Sequence, residues 1–139
     1  MKRIHLIVGC GGLVAFIASG LYMHFGHDHL RGLSDVLRLQ YRSTHLYLLF
    51  TSLMNLILGI YATTQSHWRY WLQRAGSVRV IISPVLAGLG FIYEPGLSDL
   101  YRPFSFYAAT ACLGGGVLHG FSNISFQLKR ETSVQKHPD

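Results

Sequence analysis

Residues 4–27 read IHLIVGCGGLVAFIASGLYMHFGH, a stretch with no Asp, Glu, Lys or Arg. A helix needs about 20 mostly apolar residues to cross the hydrocarbon of a bilayer. This stretch is long enough, and so are residues 43–68 and 103–128, which also lack those four residue types. A third apolar run, residues 80–93, is shorter. It holds 14 residues between Arg79 and Glu94 and covers about 21 Å as a helix. It crosses if Arg79 and Glu94 sit at the two interfaces, with the arginine snorkelling outward. The alternative is a re-entrant or interfacial segment, which leaves three crossings and puts the termini on opposite sides.

The rest of the composition agrees with a membrane chain. Half of the 139 residues are hydrophobic and 13% are charged, against roughly a quarter charged in soluble domains. The length allows a single domain. The net charge of +6 is scattered singly between apolar runs and forms no stripe, so it reads as a topology signal and not as a nucleic-acid surface. Lys2 and Arg3 before an apolar run, with Ala18-Ser19-Gly20 beyond it, resemble a signal peptide. Ile7-Val8-Gly9-Cys10 resembles a lipidation box, but few apolar residues precede Cys10. We read the segment as a retained span. Cys10 and Cys112 lie in apolar runs with no C-x-x-C, as small packing residues do.

Charge placement favours four spans, over about residues 4–26, 43–66, 78–94 and 103–128. One side then carries Lys2, Arg3, Arg69, Arg74, Arg79, Lys129, Arg130 and Lys136. The other carries Arg31, Arg38, Arg42 and Arg102. The positive-inside rule puts both termini in the cytoplasm, and the compact chain suits a bacterial inner membrane. Trp68, Tyr70 and Trp71 mark the inner interface, and Tyr22, Tyr41, Tyr47, Tyr93 and Tyr101 the outer one. Asp28, Asp35, Glu94 and Asp99 fall on the outer side. Between the first two spans, Leu30, Leu33, Leu37 and Tyr41 recur at helical spacing opposite Arg31, Asp35, Arg38 and Arg42. This predicts a short amphipathic interfacial helix over about residues 30–42. Residues 129–139 read as a polar cytoplasmic tail. The predicted fold is all-α: four antiparallel transmembrane helices plus that surface helix.

Each span carries one small-or-polar stripe. His45, Ser52, Asn55, Gly59 and Thr63 share an arc of about 80° on the second span. Ser105, Ala108, Cys112, Gly115, Gly116, His119 and Asn123 share about 100° on the fourth. Arg79, Ser83, Ala87, Gly90 and Glu94 align on the third, and His5, Gly12, Ser19, Met23 and Gly26 on the first. Lipid offers no hydrogen bonds, so these stripes are expected to face one another, with small residues letting the helices approach. Ser52, Asn55, Ser83, Cys112, His119 and Asn123 are the expected intramembrane polar seam. Gly116 and Gly120 have G-x-x-x-G spacing, a tight-contact signal. Pro84 predicts a kink early in the third span.

Eight histidines raise a cofactor reading. His24, His27 and His29 crowd the outer end of the first span, and His45 enters the second span at similar depth. With His45 or Asp28 they form a candidate zinc or copper site. Alternatively His24 and His45 ligate a haem b, with Gly20 giving the macrocycle room. His119 is the candidate for a second haem, but its partner there, His5, lies at the membrane edge. His119 is the foremost functional residue, because ionisable groups inside membranes are functional by default.

No H-E-x-x-H, G-x-S-x-G, Walker loop or C-x-x-C is present, and no span carries a central Asp or Glu. The sequence therefore points away from an enzyme. We expect a small inner-membrane protein, either a subunit or accessory factor of a membrane complex or a homo-oligomeric transport pathway lined by the seam. A haem- or metal-binding protein is the alternative. The expected partners are lipid and other membrane subunits or further copies, not nucleic acid.

Overall fold

The computed structural model describes residues 1–63, 68–97 and 101–134, with side chains of the last helix described as far as residue 123. It is all-α, and no strand occurs among the described residues. The four long helices are α1 (Lys2–Leu21), α2 (Asp35–Tyr61), α3 (Trp68–Tyr93) and α4 (Pro103–Val134). Three helical stretches, Lys2–Gly26, Asp35–Tyr61 and Trp68–Gly96, are long and apolar enough to cross a membrane. The last of these contains the segment that looks too short in the sequence. Residues 80–93 are only the second half of α3, which runs 26 residues, about 39 Å. Nothing between Trp68 and Arg79 breaks the helix, and Gly76 is kept there by a close contact described below.

The surface helix expected over residues 30–42 is not a separate element. Residues 35–42 are the first turns of α2, which continues unbroken to Tyr61. The amphipathic spacing is real, but no Gly or Pro lies between Asp35 and Tyr61 to part it from the span except Gly59 near the end. Ser34 starts the helix: its Oγ accepts the Leu37 N–H, and Asp35 places a negative charge on the first turn. The chain reverses just before this. Tyr22–Gly26 widens into a π-helix. Asp28, His29 and Leu30 then adopt positive φ of 41°, 59° and 62°, a conformation non-glycine residues rarely hold. Leu30 is buried by that turn. At the other end, α4 extends to Val134 through much of the expected tail. Residues 135–139 with Lys136, and Asp99, lie outside the described residues, as do the side chains of Lys129 and Arg130.

Sequential helices run antiparallel. Ser19 meets His45 while His5 meets Asn55, so α1 descends as α2 ascends. Asn55 reaches Val80, and Gln73 reaches the Thr63 carbonyl, which orders α2 against α3. Gly76 faces His119 while Gly90 faces Ser105, which orders α3 against α4. The α2–α3 pair forms the centre; α1 lies mainly on α2, and α4 mainly on α3.

The burial pattern is inverted relative to a water-soluble bundle. Ile7, Val14, Ile17, Phe25, Val85 and Phe106 are exposed, whereas Thr51, Ser52, Asn55, Ser77, Ser83 and Ser122 are buried. In water so much exposed apolar area would drive association; in lipid it is the required outer surface. Inside, a thin apolar layer of Leu48, Ala87 and Ala108 separates two polar zones. The helices close over this interior at glycines. A Cβ on Gly12 would collide with Ser52 Oγ. One on Gly115 would sit 2.5 Å from Val80 Cγ2 and 2.7 Å from the Gly76 carbonyl oxygen. The G-x-x-x-G pair is not this contact, because a Cβ on Gly120 meets open space. Gly115→Ala is therefore expected to destabilise the fold by about 1–3 kcal/mol, and Gly120→Ala to leave it unchanged. Thermal unfolding in detergent reads both, and equal melting temperatures would contradict the packing described.

Candidate functional site

The interior site begins with a proline. Pro84 lies within α3 and has no N–H to donate four residues back. The Val80 carbonyl is thereby left without its helical partner. Two side chains supply replacements: Asn55 Nδ2 donates to Val80 O at 2.8 Å and Ser83 Oγ donates to it at 2.8 Å. Asn55 Nδ2 also donates to the Thr51 carbonyl at 2.9 Å. With its amide nitrogen held between two carbonyl oxygens, Asn55 can only turn Oδ1 the other way. That oxygen faces His5 Nδ1 at 2.9 Å. An amide oxygen only accepts, so His5 carries its proton on Nδ1. In a neutral ring this leaves Nε2 with a lone pair.

His5 Nε2 is buried and has no hydrogen-bond partner among the described residues. Across the interior, His119 repeats the arrangement. Its Nε2 hydrogen-bonds with Ser77 Oγ at 3.0 Å, while its buried Nδ1 has no partner among the described residues. The two rings approach edge-to-face with centroids 6.3 Å apart. They are 1% and 3% exposed. A buried polar atom left unpaired costs about 1–3 kcal/mol, so two such atoms in one place are an invitation to a ligand or solvent. Access exists from the end that bears the N-terminus. A pocket of about 190 Å³ is lined there by Lys2, His5, Thr63, Tyr70, Gln73 and Ser77, among others. It has room for several waters at about 30 Å³ each.

Of the seam residues expected from the sequence, Ser52, Asn55, Ser83, Cys112 and His119 are all buried within one bundle. Asn123 is exposed and pairs with Thr63 at the rim. Arg79 leaves the stripe to which its spacing assigns it. It is exposed beside Gly114, and Ser77 and Gln73 continue the interior face in its place. The His5 ring nonetheless lies within 6.3 Å of the His119 ring, centroid to centroid. α1 begins at Lys2, so His5 lies a full turn inside the helix.

The outer histidines separate. His24 and His29 lie together, ring centroids 3.9 Å apart, with Phe25 against His24. His27 turns to Tyr22 and Tyr41. His45 stacks on Phe16 at 4.0 Å and bonds Ser19 Oγ through Nδ1 at 2.8 Å. Its ring also lies beside Gly20, with Cε1 3.3 Å from a Cβ placed there. The structure thus gives His24 and His45 different neighbours. Among the described residues no group of three or more His, Cys, Asp or Glu side chains is gathered around a metal-sized space.

The far polar zone is a second cluster that sequence reasoning missed. Glu94 is fully buried among protein side chains. Ser105 N–H donates to Oε1 at 2.7 Å, and Ser105 Oγ and Arg102 Nε donate to Oε2, the latter at 3.3 Å. Arg102 also donates to Ser43 Oγ at 2.5 Å and Thr44 Oγ1 at 2.7 Å, and its guanidinium lies over the Tyr47 ring. Every donor set in this knot is engaged, so it fastens α2, α3 and α4 at that end. The available signal was that Glu94 shares the stripe of Ser83, Ala87 and Gly90.

No family model matches the chain, and no curated protein or solved structure is similar to it. The proline–asparagine coupling has a direct test. Asn55→Ala is expected to cost about 1–3 kcal/mol, because it strips both Val80 O and His5 Nδ1 of a partner. In a Pro84→Ala background, residue 84 can again donate to Val80 O, and the same change should cost less by at least about 0.5 kcal/mol. Equal costs in the two backgrounds, measured by unfolding in detergent, would refute the coupling.

Proposed function

We propose that this chain is a non-enzymatic integral membrane protein with four crossings, both termini on the cytoplasmic side of a bacterial inner membrane, and a solute-handling chamber inside a single bundle. The observation that carries the reading is the pair of buried imidazole nitrogens, His5 Nε2 and His119 Nδ1, without a hydrogen-bond partner among the described residues, next to a pocket at the N-terminal end that His5 and Ser77 line. The eight-to-four distribution of basic residues supports the orientation. Trp68 and Trp71, exposed with Arg69 and Arg74 at their faces, suit the cytoplasmic interface.

Placing the seam inside one bundle changes the transport reading. A pore between copies needs its polar residues on the outside, and Ser52, Asn55, Ser83 and Cys112 are fully buried. In this reading the pathway runs within the chain, and the layer of Leu48, Ala87 and Ala108 closes it beyond the histidines. The bundle is thus read as a chamber open to one side. A role as a subunit is favoured by a separate feature: Gly11 and Gly120 are exposed and nothing among the described residues is packed against them, so another helix can approach closely there.

Cysteine accessibility tests the chamber. In protein carrying Cys10→Ser and Cys112→Ala, Ser77→Cys should react with a small membrane-impermeant thiol reagent applied from the N-terminal side. Ala87→Cys, in the apolar layer, should not react from either side. Protection of Ser77→Cys from both sides, or its labelling only from the opposite side, would exclude a chamber of this polarity.

A further inference from the structure

We infer that His5 Nε2 and His119 Nδ1 together bind one monovalent copper ion, an assignment that rests on the chamber reading and gives it a ligand. The argument starts from what each ring already does with its other nitrogen. Imidazoles that ligate metals usually donate the opposite N–H to a fixed acceptor, which sets tautomer and ring orientation. His5 does this through Nδ1 to Asn55 Oδ1, and His119 is placed to do it through Nε2 to Ser77 Oγ. Each ring is thus anchored on one side and bare on the other. The bare atoms belong to rings that meet inside the bundle, with centroids 6.3 Å apart. That separation accommodates two imidazoles each directing a nitrogen at a shared ion about 2 Å away.

The choice of ion follows from what surrounds the pair. Zinc takes four ligands in structural sites and three plus water in catalytic ones, and no third His, Cys, Asp or Glu joins these two among the described residues. A divalent ion here would also carry its charge into the interior with no carboxylate to balance it, a heavy cost in a low-dielectric medium. A d¹⁰ monovalent ion accepts two nitrogen donors in a line and halves that charge, and imidazole suits copper. Haem is disfavoured by packing, because Gly76 and Gly115 bring α3 and α4 into backbone contact right beside the His119 ring.

The test uses the full chain purified in detergent, with Cys10→Ser and Cys112→Ala so that no thiol competes. Silver(I) serves as a redox-inert probe, and copper(I) is supplied under a chromogenic chelator. One equivalent of either ion should be retained. His5→Gln or His119→Gln should abolish retention, and Asn55→Ala, which frees the His5 ring, should weaken it about 10- to 100-fold. His24→Ala combined with His29→Ala should leave it unchanged. X-ray absorption of the copper-loaded protein with all histidines present should show two nitrogen neighbours and no sulfur, a readout that does not depend on any histidine variant folding. Failure to retain silver or copper, a sulfur neighbour, or loss of binding only with His24 and His29 would each overturn the assignment. If Ser77→Cys is labelled from the N-terminal side while neither ion is retained, the metal assignment fails and the chamber stands; if neither result is obtained, both fail.

Discussion

The Val80 carbonyl, deprived of its helical donor by Pro84, is the point on which the interior is organised. Water would satisfy such a group at little cost. In lipid it must find a donor within the protein, and Asn55 on the neighbouring helix provides one. That single bond ties α2 to α3, and it also fixes which way the Asn55 amide faces. The amide oxygen then fixes the proton of His5 on α1. A backbone defect in one helix is thus transmitted through one side chain into the protonation pattern of another helix, and the result is an imidazole lone pair inside the bundle.

The glycines make this geometry reachable. Asn55 and His5 meet because Gly9, Gly12 and Gly59 let α1 and α2 close to near backbone contact. His119 reaches the same region because Gly76 and Gly115 do so for α3 and α4. At the opposite end the buried Glu94 is held by Arg102 and Ser105, and removal of either charge alone would leave the other uncompensated. Between the two polar zones, Leu48, Ala87 and Ala108 exclude solvent. The bundle therefore has one fastened end and one end where polar groups remain open to a pocket.

Much of this was legible in the sequence, for a plain physical reason. Lipid forces polar residues inward, so helical periodicity alone places Ser52, Asn55, Ser83, Cys112 and His119 together, and the structure buries all five. Other parts were not legible. The apolar run 80–93 marks only the second half of α3, because Arg69, Arg74 and Arg79 interrupt the hydropathy without breaking the helix, and Ser77 and Gln73 lie in the part it does not mark. Residues 30–42 carry the amphipathic pattern of a surface helix, but pattern does not say where a helix ends, and α2 runs straight through. Glu94 and Arg102 read from the sequence only as two charges on the same side, and their mutual pairing is seen in the structure. The positive φ values at Asp28, His29 and Leu30 carry little sequence signal, since Asp and His tolerate that conformation but none of the three is the glycine such a turn favours.

The account stands on His5 being held with its proton on Nδ1 and a free lone pair on Nε2. Nitrogen-15 NMR of histidine-labelled protein reads this directly, with His5→Gln identifying the resonances. The account predicts a protonated Nδ1 and a bare Nε2 for His5, with the protonated signal moving when Asn55 is replaced by Ala. A His5 ring with its proton on Nε2, unaffected by Asn55→Ala, would contradict it.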